Sequence, residues 1–428
     1  MSLQAPSFLE AFWFWLKLGF ISFGGPAGQI ATMHQELVEK KQWVTEESFM
    51  HALNYCMLLP GPEAQQLATY LGWLIHRTWG GIVAGVLFIL PSLFILIALS
   101  WLYISFGHNE WINAIFDAIK PAVVAIVFHA AYRIGKKTLR NLSLALTSVA
   151  SFVAIYFFNA PFPWIILVAG LLGYLHSKNK QGTSPTASDP IQNTQNFETK
   201  TFFKHLSIGL SLWLIPITSL LMIFGWTNTY TQMSWFFTKA ALLTFGGAYA
   251  VLPYVYQASV EQFQWLSATQ MLDGLALGES TPGPLIMIVA FVGFIAGHTQ
   301  ELLGPEYPFM SGALGGLIAT WFTFLPSFLF ILLGAPLVQS SQNNHKYAKP
   351  LQFITAAVVG VIINLGIFFT SNIFWPNGFN QYPNLLAAQI TALSIWLLFH
   401  RQYSIIKMLG TAACIGLIHK AFLLINIQ

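Results

Sequence analysis

Apolar residues run in long blocks along this chain, and polar positions gather in short intervals between them. The cores at Leu87–Leu102, Leu142–Phe158 and Ile318–Leu333 are typical. At about 1.5 Å rise per residue, some 20 apolar residues cross a bilayer core as helix. The blocks predict helices near 79–105, 111–134, 141–158, 161–176, 206–225, 310–337, 350–372, 384–400 and 405–425. Four further apolar segments, 8–39, 46–75, 231–260 and 269–298, are each interrupted near the middle. The interruptions are Phe-Gly-Gly at 23–25 and 245–247, and Pro-Gly-Pro at 60–62 and 282–284.

These interruptions belong to an internal duplication. WFWLKLGFISFGG at 13–25 pairs with WFFTKAALLTFGG at 235–247, a constant offset of 222. Gln42-Trp43 meets Gln264-Trp265 at the same offset, and so do the two Pro-Gly-Pro turns. After an insertion of 13 in the second half, Leu-Pro-Ser at 90–92 pairs with 325–327, and Ala-Val-Val at 122–124 with 357–359. One unmatched helix, 206–225, lies between the halves, and an odd additional span turns the second half over. The expected fold is therefore an all-α polytopic membrane protein of two inverted-topology repeats, a recurring build of secondary transporters. It has about nine full spans plus four broken segments, read as re-entrant helical hairpins with kinked full spans as the alternative. The expected organisation is a repeat at 1–176, a polar linker at 177–205, the inverting helix at 206–225 and a second repeat at 226–428.

Each arm of a broken segment has roughly 12–16 residues, about 18–24 Å of helix, enough to reach the bilayer middle but not to cross it comfortably. Helices are expected to restart near Pro26, Pro62, Ala248 and Pro284. A helix start presents unpaired N–H groups and about half a positive charge. Four such ends at the midplane would hold an anion, so Gly24, Gly25, Gly61, Gly246, Gly247 and Gly283 are candidate substrate-binding positions. Ordinary close packing or kinking is the bland alternative for any one break.

Charge then orients the chain. Of 428 residues 55% are hydrophobic and only 8% charged, far below the roughly 25% of soluble domains. With entry from the cytoplasm before residue 79, one set of loops collects Arg77, Arg133, Lys136, Lys137, Arg140, the linker lysines, Lys346, Lys349, Arg401 and Lys407. The opposite loops hold Glu110, Glu261, Glu301 and Glu306 without any Lys or Arg. This positive-inside pattern puts the N-terminus in the cytoplasm and the C-terminus in the periplasm. It also accounts for the net charge of +4 without a nucleic-acid partner. No cleavable signal is expected at 1–10. Cys56 and Cys414, both in apolar segments, offer neither a disulfide framework nor a thiolate metal site.

Charges inside the apolar blocks are the remaining candidates, because a charge at depth costs about 2.5–3.5 kcal/mol or more unless paired or wet. Lys17 and Lys239 are repeat-equivalents six residues before their Phe-Gly-Gly breaks. Their symmetry favours a shared role in holding the anion over snorkelling. Lys120 has Asp117 one turn earlier, an ion pair that fits structure and function alike and makes both residues candidates for proton coupling; Lys420 is read as snorkelling. Glu63 directly follows the first Pro-Gly-Pro, where the second half has Leu285, and Glu279 precedes the second, where the first half has Met57. Each reads as a helix cap or as a proton carrier, with Asp273 a weaker proton candidate. The eleven His show no ligand spacing, and no HExxH, GxSxG or GxxxxGK[ST] is present, so neither a metal, a cofactor nor an enzyme is expected.

The segments FWLKLGFISFGGPAGQIATMHQELVEKKQWV, NYCMLLPGPEAQQLATYLGW and ILPSLFILIALSWLY resemble the N-terminal half of the long-chain chromate ion transporters. LLTFGGAYAVLPY and STPGPLIMIVAFVGF resemble the C-terminal half of that family. The resemblance implies a bacterial inner-membrane protein that exports chromate using the proton motive force and confers chromate resistance. The expected partners are chromate or a similar divalent oxyanion, protons and the lipid bilayer, with a homodimer left open. Residue chemistry alone leaves sulfate, a dianion of the same shape, as an equal fit, and leaves import on the same scaffold as the alternative.

Overall fold

The computed structural model describes the chain except for residues 1–5, 24, 108, 179–198, 246, 341–347, 377 and 427–428. The expected linker therefore lies almost wholly outside the described residues. The rest is helical, in α1 (Phe8–Ile21), α2 (Gly25–His34), α3 (Glu46–Cys56), α4 (Glu63–Phe106), α5 (Glu110–Thr138), α6 (Leu142–Phe158), α7 (Phe162–Lys178) and α8 (Thr199–Phe224). There follow α9 (Thr229–Leu243), α10 (Ala248–Tyr256), α11 (Ala268–Ser280), α12 (Ile288–Thr299), α13 (Pro308–Ser340), α14 (Ala348–Phe374), α15 (Leu385–Phe399) and α16 (Ile405–Asn426).

Among the described residues six helices are long and apolar enough to span, namely Glu63–Phe106, Glu110–Thr138, Phe202–Phe224, Pro308–Ala335, Lys349–Phe374 and Ile405–Ile425. Three of the expected spans, Leu142–Phe158, Phe162–His176 and Leu385–Phe399, are shorter apolar helices. Helix also runs further than the apolar blocks implied. α4 joins residues 63–75 to the expected span at 79–105 through a kink at His76 and Arg77, where Arg77 has φ 54°.

The packing explains why the kink is tolerated. The two arms of α4 fold back on each other along Gly72, Gly80, Gly81 and Gly85, where an added Cβ would strike the facing arm. α12 and α13 meet along Gly293, Gly297 and Gly315 in the same way. Small residues let backbones approach closely where lipid supplies no hydrophobic drive between helices. α1 lies on α4 and α9 on α13; α5 packs on α14 at the centre. α6 and α7 pack on α14, whereas α15 and α16 pack on α5, so the outer helices of each half clasp the central helix of the other. α8 rests on α13 and α9 and is otherwise exposed.

Local irregularities recur at the sequence offset. A π-helical turn closes each first broken segment, at Gln35–Lys40 and Gln257–Gln262. Gln42 and Gln264, 222 residues apart, both then adopt φ 51°. Helices restart at Gly25, Glu63, Ala248 and, through a short 3-10 turn at Leu285–Met287, at Ile288.

Candidate functional site

The broken segments meet through their backbones. The Gly61 N–H donates to the Thr244 carbonyl at 2.7 Å, and the Gly283 N–H donates to the Ser22 carbonyl at 2.8 Å. Ser22 and Thr244 are the C-caps of α1 and α9, so each Pro-Gly-Pro turn docks on the Phe-Gly-Gly break of the opposite half. Only glycine fits the two turns. Gly61 has φ 126° and Gly283 φ 99°, and a Cβ at either would run into Ser327 Oγ or Ser92 Oγ respectively.

Two glutamines brace this junction. The Gln29 amide donates to the carbonyls of Ser22, at 3.3 Å, and of Gly283, while the Gln66 amide donates to Pro60 at 2.7 Å. Their equivalents in the other half are Val251 and Ile288, so the bracing is one-sided. Around the same junction Ser22 Oγ, Ser327 Oγ and the side-chain oxygens of Gln29 and Gln66 are buried without a hydrogen-bond partner among the described residues. Burying such groups unpaired costs stability, which marks the junction as a polar site in an apolar protein.

A cavity of ≈ 740 Å³ opens onto this region between α2, α3, the end of α5 and the start of α10. Its wall carries Glu63, Arg133, Lys137, Gly247 and Tyr249. Glu63 stands at the first turn of α4, and its Oε1 lies 4.0 Å from where a Cβ on Gly247, the N-cap of α10, would be. Arg133 and Lys137 are one turn apart on α5 and present two cations to the same space. Behind the wall, buried Glu279 accepts a hydrogen bond from the Tyr249 hydroxyl at 2.5 Å. Two cations, a helix start and a carboxylate thus share one space, a set of groups that can hold an anion and titrate beside it.

The sequence candidates are divided by this geometry. Gly25, Glu63 and Gly247 stand at helix starts, and Gly61 and Gly283 form the junction. Gly24 and Gly246 lie outside the described residues. Lys17 is exposed on α1, and Lys239 is half-buried with its ammonium 5.9 Å from the Trp235 ring; neither lies on the cavity wall. Asp117 and Lys120 pair at 3.0 Å further along α5, away from the cavity. The residues that reading the sequence missed are Arg133, Lys137, Tyr249, Gln29 and Gln66. As loop charges the two cations mark topology, yet their four-residue spacing on one helix face is a usable signal. Among the described residues no group of three or more His, Cys, Asp or Glu is placed to hold a metal ion.

Comparison with known proteins places this geometry in context. A family model described as chromate transporter matches residues 9–174 and 231–417, leaving out the linker and α8. The chromate transport protein of Cupriavidus metallidurans is 30% identical over 406 residues, covering 95% of this chain and 91% of that protein. A probable chromate transport protein of Synechococcus elongatus is 28% identical over 385 residues, covering 90% and 88%. The uncharacterised transporter YwrB of Bacillus subtilis matches over 168 residues, 39% of this chain but 85% of its own length, at 26% identity. No solved structure matches.

Proposed function

The chain belongs to the chromate transporter family, and on that premise we propose that it exports chromate from the cytoplasm across the bacterial inner membrane. The observation that carries this reading is the cavity in which Arg133 and Lys137 face the helix starts at the crossed breaks. A tetrahedral dianion arriving there meets two cations at the end of α5 and the N-terminal end of α10. Lys17 and Lys239 belong to the support of the broken segments in this reading.

Direction follows from electrostatics. Moving one charge through the membrane potential is worth about 2.3 kcal/mol per 100 mV, so a dianion leaving a negative interior gains about 4.6 kcal/mol. That sustains a concentration ratio of roughly three powers of ten before any proton moves. The proton part is assigned to Glu63. Its carboxylate sits where the anion approaches α10, competes with it when ionised and yields when protonated. Glu279, held by Tyr249, is the second acid in reach.

The two halves are read as inverted repeats. Crossed hydrogen bonds at equivalent positions, paired π-helical turns and a relative of about half the length support a duplicated unit. Re-entry is supported for the second broken pair of each half, because α3 packs on α4 and α11 on α12. The basic end of α5 is the cytoplasmic end by the positive-inside rule.

The test is uptake of labelled chromate and of sulfate into inverted vesicles, with a membrane potential and a pH gradient imposed separately. Chromate accumulation that follows the imposed potential supports export. Selective uptake of sulfate, with chromate excluded, would replace the substrate, and accumulation only when the potential is reversed would replace the direction.

A further inference from the structure

At the other end of α5 a cavity of ≈ 370 Å³ opens toward α15 and α16, but the seam between α5 and α11 is closed, and the closure is ionic. Lys120 lies 13 residues before Arg133, roughly 20 Å along the helix. Its ammonium is 3.0 Å from Asp117 Oδ1 and 3.5 Å from Asp273 Oδ1. The Asp273 side chain is 3% exposed, and its second oxygen accepts from the Tyr103 hydroxyl at 2.8 Å. Tyr103 itself stands edge-on to Phe116 and Phe291. One buried carboxylate on α11 is thereby tied to α4 and α5, and α11 packs along α5 and α16. Nothing in the anion site uses this cluster.

The repeat-equivalent positions show what the seam is like without it. Lys120, Asp117 and Asp273 correspond to Thr355, Gln352 and His51, so no carboxylate–ammonium pair can form there. Thr355 lies on the wall of the open cavity, between α14 and the α2–α3 segment. The same seam is thus closed where it carries ions and open where it does not.

We propose that the Lys120–Asp273 pair, steadied by Tyr103 and Asp117, is a latch. It holds the α11–α5 seam shut while the opposite cavity is open, and it must part for the anion to leave at the Glu110 end of α5. This rests on the transport reading for its purpose but not for its test. Ala276, one turn beyond Asp273 on α11 and 3% exposed, reports the seam. The Ala276→Cys variant is made in a Cys56→Ser, Cys414→Ser background and treated with an impermeant maleimide in spheroplasts and in inverted vesicles, without substrate. In the parent the thiol labels slowly from both sides. Asp273→Asn or Lys120→Met raises labelling in spheroplasts by about tenfold, the shift expected when a closed state loses a charged tie. The exchanged pair Lys120→Asp with Asp273→Lys returns labelling toward the parent rate. Unchanged labelling in both single variants, or an exchanged pair as fast as the singles, overturns the latch. Failure of chromate uptake with these labelling results intact would instead overturn the transport reading.

Discussion

Two cavities of nearly equal volume flank the central helices, and they differ in almost everything else. The cavity at the end of α5, ≈ 740 Å³, presents Arg133, Lys137 and Glu63 and reaches Gly247 at a helix break. The cavity beside α14, ≈ 730 Å³, has Phe368 on its wall, the repeat-equivalent of Arg133, together with Tyr256 and Trp375. Its one carboxylate is Glu261, and it stops at Pro253 without reaching the breaks. α10 packs on α14 beside this second cavity. The two clefts share a few repeat-equivalent positions, such as Arg133 and Phe368, and only the first is cationic and reaches the junction. On the proposed function the anion enters by the cationic cavity, and the apolar one is not a second entrance.

The strongest way to break this comparison is at the junction that both halves share. Gly61→Val and Gly283→Val each force a Cβ into a serine hydroxyl at positive φ and displace the docked turns. Misplacing a site by about 1 Å costs on the order of a hundredfold, so transport in vesicles should fall to about 1% for both while insertion persists. Loss in one half with the other silent would end the shared-junction reading.

The next test is the inequality itself. Arg133→Gln removes one ionic hydrogen bond to the anion, about 1.5–3 kcal/mol, and should weaken chromate affinity roughly ten- to hundredfold. Phe368→Gln, at the matching place, should change affinity by less than about twofold. Equal losses would mean that the second cleft also binds the anion.

A smaller effect is expected from Glu63→Gln. Removing a like charge near the anion should tighten sulfate binding by about fivefold at alkaline pH. In the native protein the carboxyl is ionised above its pKa and competes, and below it the carboxyl is neutral and does not. Affinity should therefore rise as pH falls in the native protein and stay flat in the variant, so the difference between them grows with pH. Binding curves from pH 5 to 9 check this; parallel curves would remove Glu63 from the coupling. The smallest effects belong to the pair most symmetric in sequence. Lys17→Met and Lys239→Met should each leave affinity within about twofold, because neither lysine lies on the cavity wall. A tenfold loss in both would bring the lysines back to the anion.

Much of the fold was legible because its causes are local. Apolar run length fixes spans, Gly and Pro fix the breaks, and a constant offset exposes the duplication. Helix restarts at Gly25, Glu63, Ala248 and Ile288 follow from backbone chemistry that each segment carries alone. The charged side chains were harder to read. Symmetry pointed to Lys17 and Lys239, yet helix rotation turns the first outward and leaves the second beside Trp235. Arg133 and Lys137 looked like loop charges, but the cavity between α2 and α5 makes their end of the helix a wall.

The sequence by itself determined that this chain is a duplicated helical membrane protein with four interrupted segments, since hydropathy and backbone freedom need no partner to act. Only the tertiary structure decided which charges meet. Crossing the breaks between halves brings Thr244 to Gly61 and Ser22 to Gly283, and helix packing across the halves sets α11 against α5. Charge interactions fall with distance, and distances between residues a hundred or more positions apart exist only once the helices have packed.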